Sequence, residues 1–213
     1  MILRNVADEL IRSVSATVNT NDGRYDPLYV EQLIPHLREQ SIKIDYFGDR
    51  TRAASRRLDY SLVQSFTVQK DVVQDNALDY ITFTVPKAVS ISRMLNGFIY
   101  VGHKNKSISF IQLFNREDVA NMTARGLFTN GKVIGYIWEG GKILVFGSKM
   151  ILELGVREIA ADPTKVPGFL IETDDYPVSE SLMLIMTDLF KANQNVNMNR
   201  TTDITEDGKE TIR

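Results

Sequence analysis

The chain of 213 residues has no cysteine, only two histidines and a formal charge of −2. Without thiols there can be no disulfide framework, zinc–cysteine site, iron–sulfur cluster or thiol nucleophile, which suits synthesis in a reducing cytoplasm. The histidines, His36 and His103, have no ligand spacing around them, so metal chemistry has no donor set to start from. A charge this small is not the single-sign excess of a nucleic-acid binder, and any charge-based role has to be local. No stretch approaches the roughly 18 uncharged apolar residues of a membrane span. The opening segment Met1 to Leu10 mixes acidic and basic residues with its apolar ones, unlike a signal peptide. No cofactor and no membrane partner are expected, and the chain does not read as an enzyme.

What is present is a run of turn-punctuated strands from about residue 98 to 160, framed by helical ends. Phe98 to Gly102, Ser107 to Phe114, Lys132 to Trp138 and Lys142 to Phe146 read as strands, and Asn130-Gly131 and Gly140-Gly141 carry hairpin signals. Val133, Gly135 and Ile137 face one way and Ile134, Tyr136 and Trp138 the other. A strand apolar on both faces belongs inside a sandwich or at a subunit contact. Residues 149 to 160 alternate, with Met150, Leu152, Leu154 and Val156 set against Lys149, Glu153 and Arg157. Earlier strands are expected around Leu62, Phe66 and Val68 and again over 80 to 85, ended by Pro86.

Helices flank this region. Ile2, Val6, Leu10 and Val14 form one stripe of an amphipathic helix over residues 2 to 16. Asp26 as N-cap and Pro27 in the first turn start a second helix that runs to about Gln40, with a bend expected at Pro35. Ser179 caps a last helix carrying Leu182, Ile185, Met186, Leu189 and Phe190 on one side. From Asn193 the sequence is too polar to offset the entropy of ordering, which predicts a flexible tail. The expected architecture is α+β: a helical region over 1–57, a β-rich sandwich or barrel-like core over 58–170, a C-terminal helix over 171–193 and a tail over 194–213, in one folded domain overall.

Three chemical signals need weighing. Gly126 to Val133 has phosphate-loop spacing as far as Lys132, but Val133 stands where a magnesium-binding hydroxyl is needed and Lys132 opens a strand instead of a helix. Asp71, Asp75 and Asp79 recur every four residues and read as an acidic loop facing water. Arg50, Arg52, Arg56 and Arg57 form the most basic patch, open to three readings: a solvated cluster, a contact with the acidic face of a neighbouring subunit, or a contact with a nucleic-acid backbone. No aromatic residue lies within 49–57 to stack a base, which counts against the last.

The order of features resembles the small virion proteins of tailed bacteriophages, specifically the head-to-tail connector or ring proteins of short-tailed phages such as the crAss-like group. The segments that carry the resemblance are Asn21-Asp22-Gly23-Arg24-Tyr25-Asp26-Pro27, Phe83-Thr84-Val85-Pro86, Asn96-Gly97-Phe98-Ile99-Tyr100-Val101-Gly102, Asp162-Pro163-Thr164-Lys165-Val166-Pro167-Gly168-Phe169 and Tyr176-Pro177-Val178-Ser179-Glu180. The resemblance implies a non-enzymatic subunit of a homo-oligomeric ring, of about twelve copies, between the portal and the tail. It implies portal, adaptor or tail proteins as neighbours, incidental contact with genomic DNA in the lumen, and location in the virion after assembly in the host cytoplasm. On that basis Arg50, Arg52, Arg56, Arg57, Leu182, Ile185, Leu189 and Phe190 are candidate subunit-contact residues. The alternative is a β-rich virion module that binds a glycan or receptor on a stacking platform of Trp138, Tyr136 and Tyr100.

Overall fold

The computed structural model describes residues 1–15, 26–48, 59–72, 79–90, 97–105, 108–128 and 133–206. The chain is α+β, but it divides into two compact units where one folded domain was expected. A helical unit comprises Met1–Ser61 together with Ile171–Arg213, and a β unit comprises Leu62–Leu170. The β unit is therefore an insertion: the helical unit begins, is interrupted, and is completed only after residue 170.

In the helical unit, α1 (Leu3–Ser15) and α2 (Pro27–Gly48) precede the interruption and α4 (Glu180–Glu206) follows it. The α1 stripe is Leu3, Val6, Ala7, Leu10 and Val14, all buried, at the i, i+3, i+4, i+7 spacing of one helix face. The start of α2 is as expected: the Asp26 carboxylate accepts from Leu28 N at 3.0 Å, and Pro27 occupies the first turn. Its end is not: the helix passes through Pro35, as expected, but runs eight residues beyond Gln40. The physical reason is burial: Val30, Ile34, Leu37, Ser41 and Ile42 keep helical spacing across the proline, and packing outweighs the backbone bond that proline removes. Ser179 caps α4 as expected, its Oγ accepting from Leu182 N at 3.4 Å. α4 then continues helically to Glu206, where a flexible tail was expected from Asn193. Extending an established helix fixes one residue per added bond, and no glycine or proline lies between 180 and 206 to stop it.

A buried guanidinium ties this unit together. Arg38, on α2, is fully buried among apolar residues; its Nε donates to Pro177 O at 2.8 Å, and its Cζ lies 5.9 Å from the centre of the Tyr176 ring. Tyr176 N donates to Met1 O at 2.8 Å, so the segment leading into α4 is bonded to both α2 and the start of α1.

The β unit contains β1 (Gln64–Gln69), β2 (Tyr80–Thr84), β3 (Phe98–His103), β4 (Ile111–Gln112), α3 (Arg116–Ala124), β5 (Gly135–Glu139), β6 (Lys142–Phe146) and β7 (Glu153–Glu158). One sheet has the order β1-β7-β3, the other β2-β6-β5-β4. All pairs are antiparallel except β4 with β5, which are parallel. Inward residues of both sheets share one core: Phe66, Val68, Val101, Leu154 and Val156 from the first, Ile81, Phe83, Tyr136, Ile143 and Val145 from the second. Each such side chain contributes roughly 1.5–3 kcal/mol by leaving water. The four-stranded sheet also has a second core on its other face, where Leu113, Ile137, Leu144 and Phe146 are covered by Val119 and Met122 of α3 and by Phe128. The two-faced apolar pattern of β5 thus reflects a sandwich on one side and a helix on the other.

Three expectations change here. Helix α3 was not foreseen, although Asn115 and Asp118 form a capping box: Asn115 Oδ1 accepts from Asp118 N at 2.8 Å and Asp118 Oδ2 from Asn115 N at 3.3 Å. Asn130-Gly131 lies outside the described residues, but the elements around it are α3 and β5, and β5 takes β4 as a parallel neighbour. A hairpin between those strands is therefore replaced by a helical crossover, which a parallel pair requires. Gly140-Gly141 does join a hairpin, with φ of 61° and 79° in the left-handed region that such a turn needs. Finally, the alternation before β7 is out of phase. Ile151 is buried, while Met150 and Leu152 are exposed and only Leu154 and Val156 point inward.

Two consequences are measurable. Arg38→Ala removes a buried hydrogen bond and the ring contact and leaves a cavity; it is expected to lower helical-unit stability by about 2–4 kcal/mol in a urea titration followed by helical circular dichroism. Gly147 has φ of 92°, and a Cβ there would meet Val133 O at 2.3 Å, whereas a Cβ at Gly140 would meet nothing within 4 Å. Gly140→Ala should cost about 1–2 kcal/mol of β-unit stability through conformation alone. Gly147→Ala should cost more, read from thermal unfolding followed by Trp138 fluorescence.

Candidate functional site

The residues with possible chemistry do not converge. Among the described residues no group of three or more histidine, aspartate or glutamate side chains could hold a metal ion. His36, exposed on α2, lies 2.9 Å from Gln40 one turn on, and His103 of the β unit packs edge-on against Phe110, ring centres 5.1 Å apart. Of the expected acidic loop, Asp79 is exposed. Asp75 lies outside the described residues, and Asp71 is a structural residue whose Oδ1 accepts from Thr84 N at 3.0 Å and whose Oδ2 lies 3.3 Å from Lys142 Nζ. Burial pushes the Asp71 carboxyl up, but hydrogen bonds from Thr82, Thr84 and Lys142 outweigh it and hold the group below the usual aspartate value. With Asp71 N donating to Thr82 O at 3.0 Å, these bonds occupy the outer edge of β2 and block it from pairing with another strand. The phosphate-loop spacing falls between α3 and β5. That order, helix then strand, is the reverse of the one phosphate binding needs.

Aromatic residues do not form a platform. Tyr136 points into the sandwich core, its OH 3.4 Å from Gln112 Oε1, and burial pushes its hydroxyl up to about 12. Trp138 packs against the same core, edge-on to Phe98 at 5.8 Å. Tyr100 is on the outer face of the other sheet, with the Arg157 guanidinium 5.5 Å from its ring centre. Three rings on two different faces cannot stack on one sugar.

Of the expected contact residues, Arg50, Arg52, Arg56 and Arg57 lie outside the described residues. Leu182 and Phe190 are buried in the helical unit's own core with Met183 and Met186, so their surface is already spent. Ile185 and Leu189 are half-buried, and among the described residues the exposed apolar side chain of that helix is Leu184, on a different face. The helix stripe was read as sided, and α4 packs on α2 and α1 of its own unit.

The β unit leaves several large apolar side chains in water, among them Val72, Ile108, Phe114 and Leu170, and one exposed pair sits beside a concavity. Met150 is 89% exposed and Leu152 66% exposed, and together they border a shallow concavity of about 490 Å³ also lined by Gln69, His103, Lys104 and Glu153. Its polar side is fixed. Glu153 accepts from Gln69 Nε2 at 2.6 Å and from Lys104 Nζ at 3.0 Å, and those two bonds hold its carboxyl below the usual glutamate value. The bonds span all three strands of the sheet, because Gln69 ends β1, Glu153 opens β7 and Lys104 follows β3. The result is a hydrogen-bonded polar floor beside two projecting apolar side chains.

Sequence reasoning placed Met150 and Leu152 in phase with Leu154. The signal against that phase was Ile151, which has the better strand propensity and takes the inward position. No protein-family model matches the chain, and no curated protein matches it either.

Proposed function

We propose that the protein is a non-enzymatic structural subunit of a tailed-phage particle, one copy in a ring of about twelve that connects the portal to the tail. The observation that carries this reading is the exposed pair Met150 and Leu152 beside the Glu153-centred polar floor. A solitary copy leaves that apolar surface in water, and packing it against another protein removes the cost. The order of sequence segments that resembles short-tailed phage connectors supplies the kind of assembly. A ring interface is heterologous, so the surface opposite this one on the next copy is a different patch of the same chain. Portal, adaptor or tail proteins are the neighbours above and below, and the particle is the location.

Light scattering across a concentration series, with and without portal complexes, tests the reading. The wild-type protein should form a defined multiple of the monomer mass, by itself or on the portal. The double variant Met150→Glu, Leu152→Glu should not, while its melting temperature stays within about 3 °C because exposed substitutions cost little. A wild-type protein that stays monomeric under both conditions, or a double variant that assembles equally well, overturns the proposal.

A further inference from the structure

The β sandwich contains a carboxyl group that nothing accounts for. The two-residue period of β7 that points Leu154 and Val156 inward also points Glu158 inward, and Glu158 has no exposed surface. Neither of its carboxyl oxygens has a hydrogen-bond partner among the described residues. Its cross-strand neighbours are Gln64 on β1 and Phe98 on β3. Gln64 Oε1 is likewise buried without a partner, and so is Nε1 of Trp138, the ring that stands edge-on to Phe98. Three unpartnered polar groups thus gather at one end of the sandwich, where β1 and β3 begin and β7 ends.

Among the described residues, the elements packed there bring no compensating charge. β1 contributes Gln64, β3 Phe98, β5 Trp138, and the segment before residue 90 contributes Ala88 and Val89. Arg157 is on the opposite face over Tyr100, and Lys87 is exposed. Burial alone therefore acts on Glu158, and it pushes the carboxyl from its ordinary value of 4.5 up to about 8.

We propose that Glu158 is a proton-operated latch: protonated, it stays inside and the sandwich end is shut, and its ionisation draws it into water and opens the ends of β1, β3 and β7 around Trp138. Opening has a defined cost in bonds. Val89 N to Ile159 O at 2.8 Å, Ile159 N to Gly97 O at 2.8 Å and Gly97 N to Val89 O at 2.7 Å close the chain just beyond Glu158. The sign follows from proton linkage. In the open form the carboxyl returns to its ordinary value, so the open form loses its proton above about pH 4.5 while the closed form keeps it to about pH 8. The closed end is most stable below the lower value. Its opening constant rises about tenfold per pH unit across that window and levels off above pH 8. This inference stands whether or not the chain forms rings.

Hydrogen exchange of the full chain between pH 5 and 9, corrected for the intrinsic rate, tests it, with Trp138 as an optical reporter because it is the chain's single tryptophan. Peptides over 62–70 and 153–160 should lose protection about tenfold per pH unit and then level off, with a red shift of Trp138 emission, while Lys142–Phe146 stays protected. In Glu158→Gln both changes should vanish. Should that variant fail to fold, Glu158→Leu removes the same proton and gives the same comparison. Equal loss of protection in the variant, no loss in the wild type, or loss over Lys142–Phe146 in step with the rest overturns the latch.

Discussion

The β unit depends on one constraint: its four-stranded sheet is apolar on both faces and has to be covered twice. Along β6, Ile143 and Val145 enter the sandwich core while Leu144 and Phe146 enter the second core, and β5 repeats the division with Tyr136 and Ile137. An antiparallel sheet of alternating polar and apolar residues could have left one face in water. Here the three-stranded sheet must cover one face and α3 the other. Position fixes the glycines as well, since Gly147 approaches Val133 and Phe128 too closely to carry a side chain.

Cover on the second face is lighter than on the first. No residue of α3 is fully buried, and the helix owes its local definition to the Asn115–Asp118 capping box and to the ion pair of Arg116 with Glu139, 2.9 Å apart. Such exposed pairs contribute little, roughly 0–1 kcal/mol. Arg116 also stacks over Tyr80, 5.2 Å from the ring centre, and this links α3 to the far strand of the sheet. The sheet therefore has one rigid face, built from interdigitated side chains, and one face held largely by its rim.

Much of the fold was legible because local signals and burial agreed. The α1 stripe, the Asp26 and Ser179 caps and the Gly140-Gly141 turn all point to the elements that form. Where they disagreed, burial won: α2 did not end at Gln40, because Ser41 and Ile42 beyond it are buried. Helix α3 is harder to read, since its apolar side is only Val119 and Met122. The candidate contact residues show the same limit. Leu182 and Phe190 were read as one side of a helix and as candidate subunit contacts, but periodicity cannot say whether such a side meets another molecule or the rest of its own unit, where both are buried. Glu158 was legible and passed over, because counting by twos from Leu154 already places a carboxyl inside.

The insertion of the β unit into the helical unit sets an order on synthesis. Residues 62–170 are contiguous, so everything the β unit needs is present once that stretch has left the ribosome. The helical unit has no such independence. α1 and α2 emerge first, without the α4 that packs on α2, and Arg38 waits for the carbonyl of Pro177, more than a hundred residues later. A nascent chain therefore carries an unfinished helix pair for most of its translation, joined by a finished β unit only near the end, and its aggregation-prone surface during that interval is the α2 face that α4 later covers.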